Sequence, residues 1–325
     1  VKLVGEAIRV ENLVKKFKDV TAVDGISFTV REGEIYGLLG PNGAGKTTTM
    51  HILATLLKPT SGRAIVAGFD VTRHPAEVRK KIGIVFQDPS LDNQLTAWDN
   101  MYIHGMLYGL SGLELRRKIE DLLEFVELRQ YANKLVKYFS GGMRRRLEIA
   151  RSLLHEPEIL FLDEPTLGLD PQTRVKIWDY IMAIKKEKGM TIVLTTHYMD
   201  EAEQLCDRIA IMDHGKIIAE GTADELKSLV GNEVIYLKLD GVPLKCIEAE
   251  FIESCRIIAN STLELSVRNA SVALPKVFEL AEANGLKIRE ATYRRPTLNE
   301  VFIHLTGREL RDSLEEGFRP PHRRW

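Results

Sequence analysis

Apolar positions along this chain fall into two rhythms. Short apolar or alternating runs at residues 6–12, 26–31, 34–39, 82–87, 159–162, 191–195 and 208–212 predict β-strands. A charged stretch, Lys15–Asp24, separates the first two and reads as a polar connection. Thr47–Leu57 reads as a buried helix that ends before Pro59. Residues 97–135 carry the helical period, with Ile119, Leu122, Leu123 and Val126 at i, i+3, i+4 and i+7. Strands that alternate with helices predict an α/β unit. Its sheet is largely parallel, with ligands at the strand C-terminal ends.

After Leu229 the texture changes. Residues 234–239, 256–258, 263–267 and 287–293 predict short strands, 273–284 a helix stopped by Gly285, and 298–305 a short helix before Gly307. The expected organisation is therefore an α/β domain over 1–229, with a helical part at about 88–155. A small α+β domain follows over 230–318, and 319–325 form a tail.

Composition narrows the field by exclusion. The chain has 325 residues, 45 Lys+Arg against 46 Asp+Glu, and a net charge of −1. With 44% hydrophobic and 28% charged residues it has an ordinary globular balance, so disorder is not expected. Balanced charge gives no general attraction to nucleic acid or anionic lipid. The longest stretch free of charge is Asn100–Leu113, shorter than the ~20 apolar residues of a spanning helix. No transmembrane segment and no signal peptide is expected, since charges recur from Lys2 onward. Cys206, Cys246 and Cys255 lack metal-ligand spacing and read as thiols of a reducing compartment.

Three segments carry chemistry. Gly40-Pro41-Asn42-Gly43-Ala44-Gly45-Lys46-Thr47 fits G-x-x-x-x-G-K-[ST] between a predicted strand and a predicted helix. Glycines let successive N–H groups turn inward around phosphate oxygens, and the helix N-terminus adds positive charge. Lys46 can reach the terminal phosphates, and the Thr47 hydroxyl can ligate Mg²⁺. In the second segment an apolar strand, Ile159–Leu162, ends in Asp163 and Glu164, which it places at a sheet edge. There Asp163 can hold a magnesium shell and Glu164 can polarise a water. The third is Phe139-Ser140-Gly141-Gly142-Met143-Arg144-Arg145-Arg146. Ser140 caps a helix, and the glycines allow close approach to an anion. By itself this segment reads as an ordinary capped helix with solvated arginines.

In this order the segments resemble an ATP-binding-cassette (ABC) ATPase over residues 6–226: Walker A at Gly40–Thr47, the glutamine loop at Gln87, the signature at Ser140–Met143, Walker B at Ile159–Asp163, the loop Gly168-Leu169-Asp170, and the switch histidine His197. The resemblance implies a P-loop NTPase fold. That fold has an antiparallel β subdomain, a helical signature subdomain and a RecA-like core, followed here by the small α+β domain. It implies ATP and Mg²⁺ as ligands. ATP would be held by Phe17 against adenine, by Gly40–Thr47 and Thr48, and by Ser140, Gly141, Gly142 and Asp170. The metal would be held by Thr47, Gln87 and Asp163. Glu164 would be the general base, with Lys46, Gln87 and His197 beside it at the γ-phosphate. Without the resemblance, His197 reads as a packed strand-end residue and Gln87 as a surface amide. Three positions depart from the family pattern: Phe139 for a leucine, Met143 for a glutamine, and Phe17 for the adenine-stacking tyrosine. Phe17 retains the π-face that stacking needs.

Such cassettes pair head to tail, so a second copy is an implied partner, and a separately encoded ABC-2-type membrane permease is another. The implied location is the cytoplasmic face of the membrane. The stretch Arg294–Leu310 resembles the C-terminal part of daunorubicin/doxorubicin-resistance-type exporter ATPases. That points to export of a drug, antibiotic or lipid. An importer ATPase is the alternative. A soluble cassette acting on nucleic acid or ribosomes is the third reading. It is disfavoured by the balanced charge, the single cassette, and too short a chain between Thr47 and Ile159 for a long coiled coil.

Overall fold

Every residue of the third strand is buried, which is what a strand covered on both faces by other elements requires. The structure, a computed structural model, describes residues 5–231, 233–240, 246–258 and 261–307. They divide into two compact units, with the change between Ala223 and Asp224.

In the first unit β1 (Glu6–Phe17) and β2 (Val20–Arg31) form an antiparallel hairpin. The charged stretch expected as a connection is thus a continuation of both strands, with the turn between Phe17 and Val20. One face of an antiparallel sheet can stay wet, so charge there does not end a strand. The chain continues through β3 (Ile35–Leu39), α1 (Lys46–Leu53), β4 (Ser61–Val66), β5 (Phe69–Asp70), α2 (Pro75–Lys81) and β6 (Ile82–Val85). Helices α3 (Ala97–Leu107) and α4 (Gly112–Phe125) follow, then two short 3₁₀ turns, α5 (Gly141–Ser152) and β7 (Ile159–Asp163). The unit closes with α6 (Pro171–Lys188), β8 (Thr191–Thr196), α7 (Met199–Leu205), β9 (Arg208–Asp213) and β10 (Lys216–Gly221).

Two sheets result. One is antiparallel, in the order β2-β1-β4-β5. The other has six strands, β10-β9-β3-β8-β7-β6, parallel except for β10. Alternation along its strands builds two cores. Leu160, Leu162, Ile192 and Leu194 face one way, into a cluster with Leu147, Ala150, Ile177 and Ile181 of α5 and α6. Ile159, Phe161 and Val193 face the other way, with Met50 and Leu53 of α1 and Val10 and Phe28 of the hairpin. α4 adds Leu115, Ile119, Leu122 and Leu123 to the first core, as the 3.6-residue period predicts.

A helix α8 (Ala223–Ser228) begins where the units meet in sequence. In the second unit β11 (Glu233–Leu239), β12 (Ile252–Ile258), β13 (Thr262–Val267) and β14 (Ile288–Arg294) form an antiparallel sheet in the order β12-β13-β11-β14. α9 (Ala270–Ala283) packs on it through Ala273, Val277 and Ala281, against Ile235, Leu237 and Leu265. α10 (Leu298–Thr306) starts with a capping box, Thr297 with Glu300, and ends at Gly307 in the left-handed conformation. Residues 308–325, which include the expected tail, lie outside the described residues.

Candidate functional site

The loop Gly40–Gly45 leaves the buried end of β3 and turns into α1. Gly45 has φ 100°, and a Cβ there would lie 2.3 Å from the Ala22 carbonyl oxygen of β2. Only glycine fits, and the contact pins the loop to the hairpin that carries Phe17. Gly215 N donates to Ala44 O (3.1 Å) and so holds the loop's other flank. Phe17 is 43% exposed, with Lys15 Nζ 4.8 Å from its ring centroid. An open aromatic face with a cation nearby suits a planar, electron-rich ring.

Lys46 is buried. Its ammonium donates to Gly40 O (2.6 Å) and Pro41 O (3.1 Å) and lies 3.4 Å from Glu164 Oε1. Thr47 Oγ1 donates to Asp163 Oδ1 (3.1 Å), and Thr195 Oγ1 donates to the same oxygen. β7 is an interior strand, so Asp163 and Glu164 stand at the C-terminal rim of the sheet rather than on an edge strand. Glu164 adopts φ 47°, a left-handed conformation costing about 1–2 kcal/mol in a non-glycine residue. Its backbone N–H donates to Thr195 Oγ1 (3.1 Å) and Thr195 O (3.2 Å), which holds that conformation.

His197, just past β8, completes the cluster, with Nδ1 2.8 Å from Glu164 Oε2. Burial alone raises Glu164's proton affinity. The hydrogen bond from His197 and the charge of Lys46 outweigh it, so the carboxyl is held below its ordinary range. An ionised carboxylate only accepts, so Nδ1 carries the proton. Lys46 has its ammonium pushed down by burial, opposed by Glu164 and Asp163.

The other expected residues are placed differently. Gln87 is exposed beyond β6, and its carbonyl accepts from Arg145 Nη2 (3.2 Å). Ser140 caps α5, accepting from Met143 N (3.2 Å). Ser140 and Gly141 are exposed, and no hydrogen bond or ion pair among the described residues joins them to Gly40–Thr47. Gly142 is buried, and a Cβ there would meet Thr173 Cγ2 at 2.4 Å. That glycine therefore serves close packing inside its own chain. Asp170 caps α6, accepting from Thr173 N (3.0 Å) and Thr173 Oγ1 (2.6 Å), and those bonds hold its carboxyl low. Phe139 and Met143, the two departures in the signature, pack on the helical core, Phe139 edge-on to Tyr131.

Arg145 is the correction among the arginines. It is 6% exposed, not solvated, and donates to Phe86 O (2.6 Å), Gln87 O (3.2 Å) and Glu164 O (3.4 Å). The available signal was its spacing of three from Glu148, an opposite charge that is also buried.

Residues 23–167 match the ABC transporter family, and 221–306 match the C-terminal domain of DrrA1-3-like ATP-binding proteins. The chain is 42% identical, over 94% of its length and 97% of the relative's, to the daunorubicin resistance ATP-binding protein DrrA3 of Streptomyces coeruleorubidus. It belongs to the DrrA-type ABC ATPases. A second member of the group, the Nod factor export ATP-binding protein I of Ralstonia nicotianae, is 39% identical over 94% of the chain and 95% of its own length. Among solved structures, a dimeric post-hydrolysis state of the cassette MJ0796 bound to ADP and Pi superposes with a TM-score of 0.61. It is 30% identical and covers 66% of this chain and 98% of that one. The P-loop NTPase fold and the resemblance of the C-terminal stretch are borne out, and the DrrA-type exporter assignment displaces the importer alternative. As a DrrA-type ATPase the chain binds ATP and hydrolyses it. No helix among the described residues is long and apolar enough to cross a membrane.

Proposed function

We propose that two copies of this chain pair head to tail, each closing its Ser140–Gly142 over ATP held by the partner's Gly40–Thr48 loop. Closure and hydrolysis drive a separately encoded ABC-2-type permease at the cytoplasmic face of the membrane. The exported cargo is a drug-, antibiotic- or lipid-like molecule, in keeping with relatives named for daunorubicin resistance and Nod factor export. Residues 1–229 are the motor, with 88–155 as its helical arm, and 230–318 are an accessory module.

One observation carries the reading: a single carboxylate, Glu164, is gripped between Lys46 and His197. Lys46 neutralises charge on the terminal phosphates, as a buried cation does far better than a solvated one. Glu164, kept ionised, accepts the proton of the attacking water. His197, with its proton on Nδ1, orients that carboxylate. Phe17 stacks on the adenine, and Asp170 braces the loop that meets the partner.

Thr47 and Asp163 fit a magnesium ion, since a hydroxyl and a carboxylate 3.1 Å apart are hard oxygen donors and Mg²⁺ takes few protein ligands. Gln87 is the further ligand. When bound, the ion supplies Lewis-acid stabilisation of the phosphate charge. Chelation tests this. With EDTA in excess, ATP turnover by the purified full-length chain is expected to fall by about 10²-fold or more and to return on adding Mg²⁺. Turnover that persists in EDTA would contradict the assignment of Thr47 and Asp163.

A further inference from the structure

One face of α5 is tied to the glutamine loop by a ladder of charged hydrogen bonds. Arg145, Glu148 and Arg151 recur every three residues along the helix. Arg145 donates through Nη1 to Phe86 O (2.6 Å) and through Nη2 to Gln87 O (3.2 Å) and Glu164 O (3.4 Å). Arg145 Nη1 also bonds Glu148 Oε2 (3.2 Å), and Glu148 Oε1 accepts from Ser90 N (2.7 Å). Arg151 donates to Ser90 O (2.8 Å) and to Ser90 Oγ. Arg145 and Glu148 are 6% and 2% exposed. A buried guanidinium must be paired and fully hydrogen-bonded, and here Glu148 supplies the charge and the carbonyls of two separate segments supply the acceptors.

The same helix begins at the signature. Gly141 is its first residue, and at a rise of about 1.5 Å per residue Arg145 lies only about 6 Å along the axis from it. Arg145 stands on the second turn. The helix that begins at Gly141 is therefore bonded, through Arg145, to the backbone of Gln87 and Glu164. The bond to Glu164 falls on a residue already held at φ 47°.

We propose that Arg145 is a positioning residue for ATP hydrolysis: it ties Gln87 and Glu164, through their carbonyls, to the signature helix, so that both side chains reach working position together with Ser140–Gly142. The proposal rests on the reading of Gln87 and Glu164 as groups at the nucleotide. Lysine cannot replace it, because one ammonium on a flexible stem does not span two segments as a planar fork does.

The test uses the full-length chain. Arg145→Met alone strands Glu148 as a buried unpaired charge, so the variant is Arg145→Met/Glu148→Gln, whose new amide oxygen still accepts from Ser90 N. Steady-state kcat and KM for ATP are measured with and without Gln87→Ala, beside the thermal midpoint. The expected result is a kcat lower by about 10–100-fold, the scale of a small misplacement of reacting groups, with KM changed by less than about 3-fold. Gln87→Ala lowers kcat alone, and is expected to lower it by less than about 2-fold in the paired variant, because the two act through one contact. An unchanged kcat, a loss carried by KM, or two losses that multiply would overturn the proposal. If Gln87→Ala alone leaves turnover intact, the reading of Gln87 fails. The kcat of the paired variant then decides, a loss supporting the tie to Glu164 and no loss overturning the proposal. Should the paired variant unfold, Arg145→Lys decides instead: reduced kcat at unchanged KM supports the proposal, and unchanged kcat overturns it.

Discussion

Glu164→Gln is expected to leave ATP bound and nearly stop its hydrolysis. The amide keeps the size of the side chain and an oxygen that accepts from His197 Nδ1, now 2.8 Å away. It cannot take a proton. General-base catalysis contributes roughly 10²–10⁴-fold, and kcat is expected to fall by that range. ATP affinity, read by titration with a fluorescent nucleotide, is expected to change by less than about 3-fold, since Lys46 keeps Gly40 O and Pro41 O and remains free to meet phosphate. Removing one charge from beside Lys46 adds a small gain. The pH profile follows from the same contacts. His197 and Lys46 hold the Glu164 carboxyl low against the effect of burial. A depressed pKa means that the ionised form persists through neutral and mildly acid pH. Turnover limited by this group, and the stability it lends, are lost only as pH falls through that lowered value. A variant that keeps a tenth or more of wild-type turnover would rule out Glu164 as the base.

Lys46→Ala is expected to fail at the other step. The side chain satisfies Gly40 O and Pro41 O and faces Glu164 from one buried point, and in the proposed function it also meets the phosphate. Truncating a buried, hydrogen-bonded charge costs about 2–5 kcal/mol, much of it from the partners left behind. ATP affinity is expected to fall by about 30-fold or more, since each 1.4 kcal/mol is tenfold. Glu164 loses one of the charges that hold its pKa down, so its carboxyl shifts upward and acid pH inhibits sooner. The two variants thus separate binding from chemistry. An affinity unchanged in Lys46→Ala would mean that the loop grips phosphate through its backbone N–H groups alone.

What the sequence made legible follows the distance over which each signal acts. The phosphate loop is eight consecutive residues with one geometric purpose, and its glycines announce it. The sheet rim is nearly as plain, because β7 is wholly buried and then stops at two acids. His197 and Gln87 carry no such local mark. One reaches Glu164 across 33 residues, and the other meets α5 across 58. Only the resemblance picked them out. Arg145 lay hidden in plain view. In a run of three arginines on a helix, successive side chains point about 100° apart, so one can be buried between two that are not. Two of its partners, Phe86 and Gln87, lie far upstream, on a loop whose backbone, not its side chains, makes the contact. The hairpin is obscured for the opposite reason. Lys15–Asp24 is charged because one side of that sheet is wet, and a run of charge inside a strand carries the same local signature as a polar connection. Helix α6 carries a plain signal, since Ile177, Tyr180, Ile181 and Ile184 repeat the spacing of α4.

The pairing of two copies around ATP is the claim on which the rest hangs, because Ser140 and Gly141 stand exposed with no bond to their own phosphate loop among the described residues. The direct measurement is the molar mass of the Glu164→Gln chain in solution, by light scattering, with Mg²⁺–ATP and with Mg²⁺–ADP. The expected result is a mass that doubles in ATP and returns to that of one chain in ADP. The same mass in both nucleotides, with ATP bound, would contradict it.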